Sequence, residues 1–157
     1  MHEQKNTLRK QLLRERKAVP AAKVDAISQI ICQRVFKEFN WNEVRTVCTY
    51  EGSPSSGEID TKPLLSLLAN LPNPPTITIV EPRPQALLPI GIFDVIIVPV
   101  LGFDETNHRL GQGGGWYDRF LASQPQATTI GLAPAQFKTS FPHESHDIPL
   151  DLIVTEK

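Results

Sequence analysis

Asp94-Val95-Ile96-Ile97-Val98-Pro99, followed by Arg109-Leu110-Gly111-Gln112-Gly113-Gly114-Gly115-Trp116-Tyr117-Asp118-Arg119, decides how this chain is read. The first run is short, apolar and rich in β-branched residues, the pattern of a strand buried on both faces. The second run places four of the nine glycines within five residues, between two arginines and ahead of an aromatic pair and a carboxylate. Trp116 to Leu121 has the composition to begin a helix. A strand leading through glycines to a helix N-terminus suits a phosphate: backbone N–H groups converge unobstructed, and the helix end adds partial positive charge. Glycines alone would fit a flexible surface turn. The flanking arginines, the aromatics and Asp118 argue against that reading.

Working outward, strands and helices alternate. Residues 3–17 hold strong helix formers without Gly or Pro and stop before Pro20. Lys5, Arg9 and Arg16 share one face of that helix, beside a narrow stripe of Leu8, Leu12 and Leu13. A solvated basic face is the plain reading of those three cations. Val24, Ile27, Ile31, Val35 and Phe39 recur at helical spacing and predict a core-facing helix over 21–39. Residues 44–50 predict an alternating strand, with Val44, Thr46 and Cys48 on one side and Arg45, Val47 and Thr49 on the other. A helix capped by Asp60 or Thr61 and running through Asn70 follows, with Pro63 tolerated in its first turn. Strands are expected at 76–80, 128–132 and 152–155, and a helix to about Ser123. Residues 72–90 contain six of the fourteen prolines and read as strand plus extended connector. The pattern predicts an α/β fold: a single domain over residues 1–157, with a largely parallel central sheet and helices on both faces. Ligands in such sheets sit beyond the carboxyl ends of strands, so the loops after 44–50, 94–98 and 128–132 are the expected places for chemistry.

The 157 residues, 40% hydrophobic and 21% charged with a net charge of -1, describe an ordinary globular chain with no global attraction for nucleic acid. There is no signal-peptide core and no run of membrane-spanning length, so a cytoplasmic monomer with neither nucleic-acid nor membrane partner is expected. Cys32 and Cys48 form no CxxC pair and read as reduced, buried thiols. His143, His146 and Asp147 are metal-ligand residue types, but they lack a partner cluster in sequence, and no transition-metal site is expected there. Ser53, Ser55 and Ser56 form no nucleophile elbow. No Lys-Ser/Thr follows the glycines, so the loop is not a Walker motif.

The run from Asp94 through Gly102-Phe103-Asp104 to Arg109–Arg119 resembles the signature of 5-formyltetrahydrofolate cyclo-ligases, also called methenyltetrahydrofolate synthetases. Three further segments resemble that family in the same order. They are Lys5-Asn-Thr-Leu-Arg9, Gly57-Glu58-Ile59-Asp60-Thr61, and the closing stretch from Ile130 through His146-Asp147 to Asp151 and Glu156. The resemblance implies an ATP- and magnesium-dependent ligase. The formyl oxygen of its small-molecule substrate, 5-formyltetrahydrofolate, is phosphorylated; the neighbouring folate nitrogen then attacks and phosphate leaves, giving 5,10-methenyltetrahydrofolate and ADP.

Phosphoryl transfer needs positioning and charge neutralisation more than a covalent nucleophile. Lys5 and Arg9, one helical turn apart, are expected at the ATP phosphates with Leu110, Gly111, Gln112, Gly113, Gly114, Gly115, Trp116 and Tyr117. Arg109, Tyr117 and Asp118 are the expected catalytic residues, Arg109 also touching ATP. Asp118 and Asp151 are hard oxygen donors expected to hold Mg2+. Glu58 would contact the folate, by its match to the family's glutamate. Between Glu58 and Asp94 the chain is shorter than the family pattern, Trp116 stands where the family favours Tyr, and Gln112 replaces a residue that is often basic. Two readings follow. One is a compact active cyclo-ligase; the other is a cyclo-ligase-like nucleotide- or folate-binding protein that has lost the cyclisation or acts on another substrate.

Overall fold

The computed structural model describes residues 2–157. Seven strands, four α-helices and two 3-10 turns run in the order α1 (His2–Ala18), α2 (Ala21–Glu38), β1 (Thr46–Thr49), η1 (Pro54–Ser56), α3 (Lys62–Ala69), β2 (Thr76–Ile79), β3 (Val95–Pro99), β4 (Gly102–Phe103), β5 (Arg109–Leu110), α4 (Trp116–Ala122), β6 (Thr128–Leu132), η2 (Ala135–Phe137) and β7 (Leu152–Val154). Five strands form an all-parallel sheet in the order β2-β1-β3-β6-β7, while β4 and β5 make a separate antiparallel pair.

Both faces of the sheet are covered. On one face, Ile27, Ile31, Cys32 and Val35 of α2 and Leu64 and Leu68 of α3 pack on Val47, Val95, Ile97, Ile130 and Leu132. On the other, Trp116, Tyr117, Phe120 and Leu121 of α4 pack on Cys48, Ile96 and Val98. Burial from both sides explains why β1 does not alternate as its sequence suggests: Val47, Cys48 and Thr49 are all buried.

The connections fix where a cleft must open. From β1 the chain moves through α3 to β2 on one side; from β3 it moves through α4 to β6 on the other. Right-handed crossovers in opposite directions place their helices on opposite faces, as found here. The loops after β1 and β3 therefore diverge, leaving a crevice beyond their carboxyl ends. The proline-rich segment between β2 and β3 makes its crossover without a helix. Its Val80, Ala86 and Leu88 lie against the α4 face, and it is pinned there by Trp116 Nε1 donating to Ala86 O (3.2 Å) and Arg119 Nη2 to Pro84 O (2.8 Å).

The opposite end of the sheet is closed by two copies of one device. Asp94, just before β3, accepts at Oδ2 from the amides of Arg45 (2.7 Å) and Thr46 (3.1 Å), and its own amide donates to Thr46 Oγ1 (3.0 Å). Asp151, just before β7, accepts at Oδ2 from the amide (2.9 Å) and hydroxyl (3.2 Å) of Thr129, and its amide donates to Thr129 Oγ1 (2.9 Å). Each carboxylate satisfies strand-start N–H groups that the ladder leaves unpaired.

Candidate active site

A cleft of about 990 Å³ lies at the divergence of β1 and β3. Its floor is Tyr50 to Ser53 after β1 and Pro99 to Leu101 after β3; its walls are α1, the glycine loop, the proline-rich connector and the segment before β7. Lys5, Arg9, Glu58, Arg109, Leu110, Gly111 to Gly115, Trp116, Tyr117 and Asp118 all line it. Sequence positions more than a hundred residues apart meet here because α1 crosses this end of the sheet. Leu12 of α1 is buried with Leu101, Leu110 and Phe137, which turns the polar face carrying Lys5 and Arg9 toward the cleft.

Both cations are already oriented. Arg9 Nε donates to Gly111 O (2.9 Å) and its Nη1 to Asn6 Oδ1 (2.8 Å), so the guanidinium lies along the glycine loop. Lys5 Nζ donates to Asp147 Oδ2 (3.1 Å), with both side chains largely shielded. Within the loop, Gly113 (φ 100°) and Gly115 (φ 71°) take left-handed backbone that side chains resist. Among the described residues, the N–H groups of residues 112–115 make no hydrogen bond, leaving several donors at the cleft wall.

Arg109 is folded back under this loop. Its Nε donates to Pro99 O (3.2 Å), its guanidinium lies 5.1 Å from the Tyr117 ring centroid, and a Cβ on Gly111 would strike its Nη2. Burial lowers its pKa, against the opposing pull of Tyr117 and Asp118. The Tyr117 hydroxyl is buried with no hydrogen-bond partner among the described residues. Burial raises its pKa, although Arg109 pulls the other way, so the phenol keeps its proton. Tyr50, also buried, is pushed up by burial and then by Glu58.

Glu58 is carried by a tight turn beneath α1. Arg16 Nε donates to Ser56 O (3.1 Å), and Ser56 Oγ reaches Glu58 Oε1 at 3.4 Å. Gly57, at φ 80°, leaves no room for a Cβ against Arg16. Arg16, assigned to a solvated stripe by spacing alone, is 6% exposed and lines the cleft. The guanidinium's pKa is lowered by its burial, with Glu58 restoring part of the difference.

The carboxylates divide differently from the sequence expectation. Asp118 faces the cleft with no hydrogen bond or ion pair among the described residues. Asp151 does not join it: it is tied to Thr129 at the far end of the sheet, and the expected Asp118–Asp151 pair is not formed. Asp147, four residues earlier, is the one that lines the cleft. Burial works to raise its pKa, but the Glu144 amide and Lys5 outweigh it and hold the carboxyl below the ordinary range. Leu110 enters mainly through backbone, its side chain being buried under α1. Trp116 spends its N–H on the connector.

The sequence profile of the 5-formyltetrahydrofolate cyclo-ligase family matches residues 73–156, more than half of the chain. The chain belongs to that family. The 5-formyltetrahydrofolate cyclo-ligase of Mycoplasma pneumoniae is 27% identical over 165 residues, spanning 98% of this chain and 99% of that protein. The Haemophilus influenzae protein of the same name is 38% identical over 104 residues, which cover 60% of this chain and 56% of the relative. Among solved structures, a 5,10-methenyltetrahydrofolate synthetase from Mycoplasma pneumoniae superposes with a TM-score of 0.83 at 26% identity, covering 98% of this chain and 99% of that one. The synthetase of Aquifex aeolicus, at 24% identity and a TM-score of 0.77, shares the fold.

Proposed function

We propose that this chain is an active, compact 5-formyltetrahydrofolate cyclo-ligase that uses ATP and Mg2+. The observation that carries this is the convergence on one cleft of the glycine loop's unpaired N–H groups, Lys5, Arg9 and the unpartnered Asp118. The loop and the two cations receive the ATP phosphates, and their fixed positive charge offsets the negative charge of the transferring phosphoryl group. Arg109, held beneath the loop, adds to that field from the floor. Its bond to Pro99 O keeps it in place through the reaction.

The chemical sequence needs no protein nucleophile. The formyl oxygen of the folate attacks the terminal phosphorus and ADP departs; the neighbouring folate nitrogen then closes on the formyl carbon, and phosphate leaves, carrying away the proton that this nitrogen gives up. Glu58, on the turn braced by Arg16, orients the pterin end. The protonated Tyr117 hydroxyl, buried in this structure, would be uncovered by a small shift on substrate binding where the two substrates meet, with Tyr50 beside it in the wall. Asp118 and Asp147, the carboxylates beside the phosphate-facing wall, fit Mg2+, which takes hard oxygen donors together with phosphate oxygens. The bound ion would neutralise phosphate charge. The connector's Pro84, 3.2 Å from a Cβ position on Gly114, closes the side of the cleft that the short middle would otherwise leave open.

The test is direct. Purified protein with 5-formyltetrahydrofolate, ATP and magnesium should give the near-ultraviolet absorbance of methenyltetrahydrofolate with one ADP per turnover. ATP binding without product would overturn the reading in favour of a binding protein. Asp118→Asn should abolish magnesium-dependent turnover while the protein stays folded.

A further inference from the structure

We propose that Asp104, His108 and His143 form a binding site for a zinc-class transition-metal dication, which clasps the β4–β5 turn to the segment bearing Asp147. The sequence offered His143 with His146 but no partners. The fold supplies them from elsewhere: the donor atoms of Asp104, His108 and His143 lie within 4.8 Å of one another. His146 is not among them, being 69% exposed and turned to Glu144 at 3.2 Å.

The group is built rather than gathered by chance. Asp104 Oδ1 accepts from the Thr106 amide (2.9 Å), the Thr106 hydroxyl (2.8 Å) and the His108 amide (3.1 Å), which anchors the carboxylate. Its Oδ2 is left facing His143 Nε2 at 3.6 Å. The same Thr106 hydroxyl lies 2.7 Å from His108 Nδ1 and so orients that ring as well. The His108 and His143 rings stack in parallel with centroids 3.8 Å apart. Two imidazoles and one carboxylate favour zinc, cobalt, nickel or copper over magnesium, which takes oxygen donors.

Tetrahedral zinc with bonds of about 2.0–2.1 Å wants donors roughly 3.3 Å apart, so donors that lie within 4.8 Å of one another must close by up to about 1.5 Å on binding. Asp104 and His108 are fixed by the turn. His143 supplies the motion: its side chain is 35% exposed and lies outside regular structure. Tilting out of the stack brings its nitrogen lone pair toward the other two donors, and water completes the shell. Closure there would restrain the stretch leading to Asp147 and its bond to Lys5.

Chelator-stripped full-length protein titrated with zinc chloride in a calorimeter should bind one ion per chain. Co2+ in its place should give visible d–d bands. His143→Asn, on an exposed stretch, should weaken zinc by about tenfold or more and remove the bands. His146→Asn and Asp118→Asn should leave both unchanged. The absence of saturable binding or of cobalt bands would overturn the proposal. So would loss of the site in His146→Asn or Asp118→Asn, or its persistence in His143→Asn.

Discussion

Asp151→Ala separates a structural aspartate from a metal ligand, because the two roles predict opposite signatures. The substitution removes the acceptor for the Thr129 amide at 2.9 Å and for its hydroxyl at 3.2 Å. Thr129 is 8% exposed, so its amide would be left poorly solvated. Hydrogen bonds to a charged group are worth about 1.5–3 kcal/mol and an orphaned buried donor costs about 1–3 kcal/mol. Asp151 itself is exposed, which puts the combined loss near the lower end, about 1–2 kcal/mol. For a chain of this size that lowers Tm by roughly 2–8 °C. The assay is thermal unfolding beside a magnesium titration of turnover. Tm should fall while the magnesium concentration for half-maximal rate stays that of the unmodified protein. An unchanged Tm with a raised magnesium requirement would refute the structural assignment.

Tyr117→Phe should stabilise the fold by up to about 1–3 kcal/mol, and so raise Tm, by removing a buried, unpartnered hydroxyl, while lowering kcat/KM; a lower Tm, or unchanged turnover, would contradict that role. Gly57→Ala forces a Cβ into Arg16 at φ 80°. It should cost about 1–3 kcal/mol and raise KM for the folate more than for ATP, read from denaturation and paired steady-state kinetics. The two thiols predict a pH effect. Burial pushes Cys32 to about 11 and Cys48 to about 12 from the ordinary 9.0. The folded chain therefore holds these protons more tightly than the unfolded one, and their contribution to stability, whole below the ordinary value, is lost as pH rises toward the folded values. Urea midpoints should decline through that window, less steeply in Cys48→Ala, and native protein at about pH 8 should resist thiol reagents.

Periodicity and turn chemistry are local, and whatever rested on them was legible. The helices at 2–18 and 21–38 and the strand at 128–132 fall where spacing and Pro20 place them. The glycine loop was legible because Gly113 and Gly115 take left-handed backbone that most side chains resist. Residues whose meaning depends on strand ends were not. Asp147 and Asp151 sit four apart in sequence, yet β7 begins just after the second, so one faces the cleft and the other caps the opposite edge. The β4–β5 pair escaped because two-residue strands leave no pattern to detect. Arg16 escaped because spacing shows which residues share a face, not which of them the turn at Gly57 will cover.

The first helix rests on the body through Leu12 and the buried Arg16, with Leu8 and Leu13 beside them, and spends much of its remaining length presenting charge. If Lys5 and Arg9 hold the nucleotide phosphates as proposed, helix docking and occupancy of the cleft are one equilibrium viewed from two sides. A polyanion gripped by Lys5 and Arg9 also holds the helix in place, and whatever loosens the helix loosens the polyanion by the same free energy. Amide exchange in residues 2–18 should slow with nucleotide concentration, making the helix a reporter of a ligand it only partly surrounds.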